Sequence, residues 1–272
     1  MSTPTPSQPS LKPELLRHLV GVLDLTTLEA TDTAQRVRKL CATGLDPLGD
    51  GSATVAAICV YPTMAPSAAE ALEGSAVKLA SVAGAFPSGM SPLHLRVAEA
   101  AWACEQGAAE IDMVISRGEF LAGRVERVVE EVSEIRDAVG EARLKVILET
   151  GELGGDGNIR AASELIAPLL RDGDFIKTST GKTQPAATLD ATGIMLDVLA
   201  ECWRTGGPRV GLKVAGGVRT AHDAIAYWSQ AARAMCDHRE WHAPNSQYFR
   251  IGASSLLDSL RNSIHQGPDE PR

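Results

Sequence analysis

Short β-rich runs separated by longer helical patterns recur along nearly the whole chain, and this alternation restricts its fold more than any other feature. The runs are His18–Leu23, Thr54–Val60, Val77–Val82, Glu110–Ile115, Leu144–Leu148, Asp174–Lys177, Val210–Val214 and Tyr248–Ile251. Thr54–Val60 and Lys145–Leu148 are nearly all apolar, as parallel strands covered on both faces are. The clearest helical pattern is Arg124–Val139, where Val125, Val128, Val129, Val132, Ile135 and Val139 recur at three- and four-residue steps. Glu126, Arg127, Glu130 and Glu131 lie on its other side. A second helix is expected after Ser91-Pro92, with Ser91 as cap and Pro92 in the first turn. A third is expected at Thr220-Ala-His-Asp223, whose Thr and Asp suit a helix start. Strands and helices in this order predict either a closed (β/α)₈ barrel or an open doubly wound sheet. No GxGxxG follows the first run, which disfavours a dinucleotide-binding sheet. Both options stay open at this point; a (β/α)₈ barrel takes about 250 residues, so a single one would nearly fill residues 11–265. Met1–Ser10 reads as a disordered tail and Gln266–Arg272 as a flexible one. No internal repeat or long linker divides the chain.

Charge and composition narrow the function classes. The net charge is −8, with 34 acidic against 26 basic residues, so binding to nucleic acid through clustered positive charge is not expected. An anionic ligand would need a local site made of amides and a few lysines. No apolar run approaches the length of a membrane span and no signal segment opens the chain, so no membrane partner is expected. Cys41, Cys59, Cys104, Cys202 and Cys236 form no CxxC pair, which argues against a disulfide framework or a zinc knuckle and for a reducing cytoplasm. His238 and His242 have helix-face spacing, but their polar surroundings read as a solvated helix end, not a metal pair. No metal site is expected from these residues. A barrel of this kind is compatible with a monomer or a homodimer, and no stripe marks an interface.

The chemistry concentrates in Asp174-Phe-Ile-Lys-Thr-Ser-Thr-Gly-Lys-Thr183. Lys177 ends a short apolar run, where poor solvation of an ammonium favours the neutral amine. A neutral amine can attack a carbonyl and form a Schiff base. The hydroxyls of Thr178, Ser179 and Thr180, with Gly181 and Lys182, suit a phosphate or a carbonyl oxygen. The string Thr180-Gly-Lys-Thr183 resembles the end of a nucleotide P-loop, but that loop needs a glycine where Ile176 stands. In a barrel, catalytic groups gather at the carboxyl ends of strands. Those ends carry Asp24, Thr26 and Thr27; Cys59; Asp112; Lys177; Lys213, then Gly216-Gly217; and Gly252, then Ser254-Ser255. A second ammonium on Lys213 would help free the amine of Lys177, and Asp112 could hold Lys213 or a water and move protons. A purely structural Asp112–Lys213 ion pair is the alternative. Gly216-Gly217 and Gly252-Ala-Ser-Ser255 are each expected to open a helix whose free amides bind an anion, although Gly-Gly also makes plain tight turns. Cys59, within Ala56-Ala-Ile-Cys-Val60, reads first as a small buried hydrophobe and otherwise as a pocket-lining thiol.

Taken in order, these strings resemble the deoxyribose-phosphate aldolase family. The strings are Asp24-Leu-Thr-Thr-Leu28, Ala57-Ile-Cys-Val-Tyr-Pro62, Phe86-Pro-Ser-Gly89, Glu110-Ile-Asp-Met-Val-Ile115 and Lys145-Val-Ile-Leu-Glu-Thr-Gly-Glu-Leu153. They continue with Asp174–Lys182, Gly211–Thr220 and Arg250–Leu257, so the likeness runs from about Gly21 to Leu257. The resemblance implies a (β/α)₈ barrel and a class I, metal-free aldolase without a cofactor. The reaction it implies is reversible cleavage of 2-deoxy-D-ribose 5-phosphate to D-glyceraldehyde 3-phosphate and acetaldehyde. It also implies Lys177 as the Schiff-base lysine, Lys213 as the lysine that tunes it and Asp112 as the proton relay. Asp24 and Thr180, with Thr26 and Cys59 beside them, would lie near the substrate. Gly181, Lys182, Gly216, Gly217, Gly252, Ser254 and Ser255 would hold its phosphate. Three features depart from the family's pattern: Val214 stands where proline is common, Ser116 where asparagine is frequent, and the C-terminal tail lacks a tyrosine. Two rivals remain, a Schiff-base aldolase for another aldehyde pair and a phosphate-ligand binder that has lost catalysis.

Overall fold

A computed structural model of the chain describes residues 11–235 and 244–266. The N-terminal tail, all but the first residue of the C-terminal tail, and Cys236, His238 and His242 lie outside the described residues. Eight parallel strands close into a barrel in chain order, which decides against the open sheet. They are β1 (Leu23–Thr26), β2 (Ala57–Val60), β3 (Lys78–Ala83), β4 (Glu110–Val114), β5 (Arg143–Ile147), β6 (Phe175–Lys177), β7 (Gly211–Ala215) and β8 (Phe249–Ala253). Helix α1 (Pro13–Gly21) precedes β1. Then come α2 (Ala34–Leu45) after β1, α3 (Ala65–Ala71) after β2, α4 (Leu93–Glu105) after β3, and α5 (Arg117–Leu121) and α6 (Val125–Ala138) after β4. The circuit continues with α7 (Asp156–Ile166) after β5, α8 (Leu189–Arg204) after β6, α9 (Ala221–Met235) after β7 and α10 (Leu256–Gln266) after β8.

Side chains alternate across each strand, so every second residue points into the barrel. The outward set, including Leu25, Ile58, Ile111, Val146, Leu212 and Val214, packs with the helices into the main core. The inward set has two halves. Strands β2 and β3 contribute Ala57, Cys59, Ala80 and Val82, which form a small apolar cluster with Leu28. The other strands contribute Asp24, Glu110, Asp112, Lys145, Lys177, Lys213 and Arg250, all buried. Phe175 fills the lower part of the interior, with the guanidinium groups of Arg143 and Arg250 at 5.3 Å and 5.8 Å from its ring centre.

Four local expectations change. His18–Leu23 is not a strand: His18–Gly21 ends α1, and β1 starts at Leu23. Pro13 at the first helical position and Glu14 in the first turn start that helix, which buries Leu16, Leu19 and Val20 at helical spacing. A short apolar run alone does not separate the two periods. Ser91 caps nothing, because Pro92 itself occupies the position before α4 and no side chain caps that end. Glu131 is not on the solvent side of α6 but buried, 2.5 Å from Arg96 Nη1, and it accepts hydrogen bonds from the amide and hydroxyl of Ser116. Ser116, one of the departures noted above, thus ties the top of β4 to α4 and α6. Gly216-Gly217 makes a turn and does not open a helix directly, since α9 begins at Ala221. The helix start at Thr220 is as expected. The Asp223 amide donates to Thr220 Oγ1 at 3.1 Å, and Asp223 Oδ2 accepts from the Thr220 amide at 2.9 Å.

Gly211 shows how tightly the interior is filled. A Cβ there would stand 2.6 Å from Phe175 and from the Tyr248 carbonyl oxygen, and 2.7 Å from Tyr248 Cα. Neither backbone neighbour can rotate away. Gly211→Ala is therefore expected to destabilise the fold by about 1–3 kcal/mol, the range for overpacking, read as a lowered urea midpoint. An unchanged midpoint would show that the barrel yields there.

Candidate active site

The alternation that loads the barrel interior with charge also sets Lys177 within an ion network. Lys177 ends β6 and pairs in register with Lys213 on β7, while Asp112 on β4 pairs with Lys145 on β5. Asp112 Oδ2 accepts from Lys177 Nζ at 2.6 Å and from Lys213 Nζ at 2.7 Å, and Oδ1 accepts from Lys145 Nζ at 2.9 Å. Below them, Lys145 Nζ lies 2.6 Å from Glu110 and 3.2 Å from Asp24. Lys213 Nζ lies 2.6 Å from Asp24. Arg250 closes the network, 2.6 Å from Asp24 and 2.9 Å from Glu110.

Each lysine is burdened by burial, and the number of carboxylates it touches decides the outcome. Lys145 touches three, and they outweigh its desolvation, so its pKa rises well above the ordinary lysine value. Lys213 touches two, Asp112 and Asp24, and its pKa is also raised against desolvation. Lys177 touches only Asp112. Desolvation, assisted by the like charge of Lys213, prevails and lowers its pKa. Asp112 is buried too, but its three lysines hold its carboxyl far below the usual carboxylate range. Asp24 is held down against burial by Lys145, Lys213 and Arg250. Burial pushes the Cys59 thiol up, and the neighbouring Asp112 adds to this.

Above Lys177 opens a cavity of about 570 Å³. Its walls include Thr26, Thr180, Gly181, Lys182, Gly216, Gly217, Gly252, Ser254 and Ser255. Gly181, Gly216 and Gly217 have φ of 80°, 83° and 84°, where side chains are disfavoured. A Cβ on Gly216 would stand 3.2 Å from Gly181 Cα and 2.7 Å from Ala186 Cβ, so the loops after β6 and β7 meet glycine to glycine. Ser254 and Ser255 directly precede α10, whose first amides carry the positive end of a helix dipole. Strands thus supply an amine of lowered pKa, and loops supply amides and hydroxyls above it.

The profile of the DeoC/LacD family aldolase matches residues 19–262. The chain is 41% identical to the deoxyribose-phosphate aldolase of Mus musculus, across 90% of this chain and 79% of that protein. It is 40% identical to that of Homo sapiens with the same coverage. The chain belongs to the DeoC/LacD aldolase family. A solved deoxyribose phosphate aldolase from Aeropyrum pernix, described as tetrameric, superposes with a TM-score of 0.72 at 25% identity, over 96% of this chain and 99% of that one. No described helix is long and apolar enough to cross a membrane.

Apart from Cys59, the sequence-predicted residues of this aldolase fall into two groups. Lys177, Thr26, Thr180 and the expected phosphate-site residues all line the mouth cavity. Lys213, Asp112 and Asp24 lie beneath it, in the ion network. Asp24, expected beside the substrate, is fully buried under Lys213 and faces cations. Cys59 is 1% exposed among Leu28, Ala57, Ala80 and Val82, so the small-hydrophobe reading describes it and it does not line the cavity. The hydroxyl of Thr180 is already engaged: it donates to Glu149 and accepts from the Lys182 amide at 3.1 Å. The ammonium of Lys182 is turned toward the carbonyl of Leu28 at 2.5 Å and Glu29 at 3.3 Å, tying the loop after β6 to the loop after β1.

Lys145, Glu110, Arg250 and Glu149 had no role assigned from sequence. For Glu110 and Lys145 a signal was present: charges two residues apart in otherwise apolar strands, as in Glu110-Ile-Asp112 and Arg143-Leu-Lys145, share one face, whereas Arg250 has no charged residue at that spacing. Glu149 carried no comparable signal. It sits at φ 56°, and its carboxylate receives the Thr180 amide at 3.2 Å.

Lys145→Met is expected to cost about 3–5 kcal/mol at neutral pH, because it leaves buried carboxylates undercompensated. The depressed pKa values of Asp24, Glu110 and Asp112 stabilise the fold above the ordinary carboxylate range, and that contribution is lost as pH falls through their folded values. In the variant those values rise, so protonation relieves the defect. Urea denaturation at pH 7 and near pH 4 should show a smaller penalty in acid; a penalty that grows in acid contradicts this.

Proposed function

We propose that this aldolase reversibly cleaves 2-deoxy-D-ribose 5-phosphate to D-glyceraldehyde 3-phosphate and acetaldehyde through a Schiff base on Lys177. The observation that carries the proposal is the single-carboxylate environment of Lys177, the one lysine of the network whose pKa is lowered, at the floor of an amide-lined cavity. The substrate assignment rests on the names of the Mus musculus and Homo sapiens relatives.

The lone pair of Lys177 Nζ attacks C1 of the open-chain aldehyde. Lys213, kept charged, donates a proton toward the carbinolamine hydroxyl as it leaves as water. Asp112, hydrogen-bonded to both nitrogens, passes protons between them and a water. The resulting iminium accepts the electron pair of the C2–C3 bond when the C3 hydroxyl gives up its proton. Glyceraldehyde 3-phosphate departs. The enamine takes a proton at C2, and hydrolysis returns acetaldehyde and the free amine. The amides around Gly181, Gly216, Gly217, Ser254 and Ser255, with Lys182 at the rim, hold the phosphate and so orient C1 toward Lys177.

Borohydride reduction in the presence of substrate should add the mass of a reduced adduct at Lys177, and Lys177→Ala should abolish both adduct and activity. An adduct on Lys213 would exchange the two roles, and no adduct at all would favour a binder without catalysis. Activity is expected to survive chelation.

Lys213→Leu should lower kcat/KM by about 10²–10⁴-fold. Removing that cation leaves Asp112 less compensated beside Lys177, which raises the lysine pKa. The acid limb of the pH profile should therefore move to higher pH, and Lys213→Arg should restore its position. A limb that moves to lower pH would refute this electrostatic role for Lys213.

A further inference from the structure

The mouth cavity is larger than a five-carbon monophosphate needs. At about 30 Å³ of liquid volume per water, the roughly thirteen non-hydrogen atoms of such a sugar displace no more than about 390 Å³, against 570 Å³ present. The remaining space extends outward to α2. There Arg36, Lys39, Leu40 and Thr43, at three- and four-residue steps, place one helix face along the cavity wall. Arg36 is partly neutralised by Asp32 at 3.2 Å. The Lys39 ammonium makes no ion pair or hydrogen bond among the described residues. The chain carries a net charge of −8, yet apart from Lys177 this cavity is walled by Arg36, Lys39, Lys182 and Arg219 against a single carboxylate, Glu29. One phosphate in the glycine and serine amides leaves the α2 charge unmatched.

We propose that the α2 side of the cavity is a second anion subsite, in which Lys39 recognises the outer group of a ligand bearing two phosphates in series. The inference rests on the phosphate-end reading proposed above and extends it. A compound with a diphosphate end then occupies both subsites and competes with the monophosphorylated substrate.

The test uses inorganic phosphate and inorganic pyrophosphate as inhibitors of the cleavage reaction, at fixed ionic strength without divalent cations. Both are expected to compete with the substrate, pyrophosphate the more tightly. Lys39→Ala should weaken pyrophosphate by about fivefold to tenfold, the equivalent of one exposed charge-assisted contact, while phosphate changes less than about twofold. Lys39→Glu should weaken pyrophosphate further. Exposed on a helix, both substitutions are compatible with folding, and an unchanged unfolding midpoint confirms it. Equal loss for both anions would put Lys39 in the single phosphate site and overturn the proposal, as would no loss for pyrophosphate. If neither anion competes, the phosphate-end reading itself fails, which the orthophosphate arm shows separately.

Discussion

Seven buried ionic side chains share the closed interior of this barrel, with Arg143 at its lower edge 3.5 Å from Glu110, and their charges have to balance one another. Asp24, Glu110 and Asp112 supply three negative charges against Lys145, Lys177, Lys213 and Arg250. At an effective dielectric of about 20, a contact near 3 Å is worth roughly 5–6 kcal/mol, while desolvating each ion costs several kcal/mol. A cation with two or three such contacts stays charged. One with a single contact, shared with another ammonium, does not gain enough. Lys177 is that cation, and its position at the end of β6 puts it where a ligand can arrive. The lowered pKa of Lys177 is thus set by its place in a charge sum.

This sum depends on strand register. Lys177 meets Lys213, and Asp112 meets Lys145, because neighbouring strands pair at those residues. A slip of one residue would turn every one of these side chains outward into the helix layer. The apolar half of the interior, Ala57, Cys59, Ala80 and Val82, matters as well. Small side chains there leave the charged half no alternative polar partner and keep its dielectric low. Reactivity and fold specification are therefore carried by the same residues.

The sequence made much of this legible, for reasons that differ by residue. Seven of the eight strands lie within a few residues of the runs that predict them, because parallel strands buried on both faces are short, apolar and bounded by turns. The first was displaced because His18-Leu-Val-Gly21 suits either period, and the proline that settles the matter lies five residues upstream. Lys177, Lys213 and Asp112 stood out as polar residues at apolar strand ends. Lys145, although it pairs in register with Asp112, and Arg250 did not, because they act through other side chains. The engagement of Thr180 by Glu149 depends on a left-handed residue in the loop after β5, and no local pattern of residue types announces it.

Strands and loops divide the work in this aldolase, and the division has a physical basis. Interior charges are locked by mutual contacts of 2.6–3.2 Å, so altering one disturbs the rest, and with it stability. The mouth is built from backbone amides in glycine turns, a helix start and rim cations such as Lys39 and Arg219 that are not tied to the network. In the proposed function, changes there alter which anions are held and how strongly the local field draws them in, while the amine below keeps its environment. An overall acidic chain can on this basis present a cationic mouth: the excess negative charge lies away from it, and screening over about 8 Å at physiological salt separates the two fields. In the proposed function, recognition of the anionic end is thereby free to vary while the chemistry assigned to Lys177 stays constrained by the closed barrel beneath it.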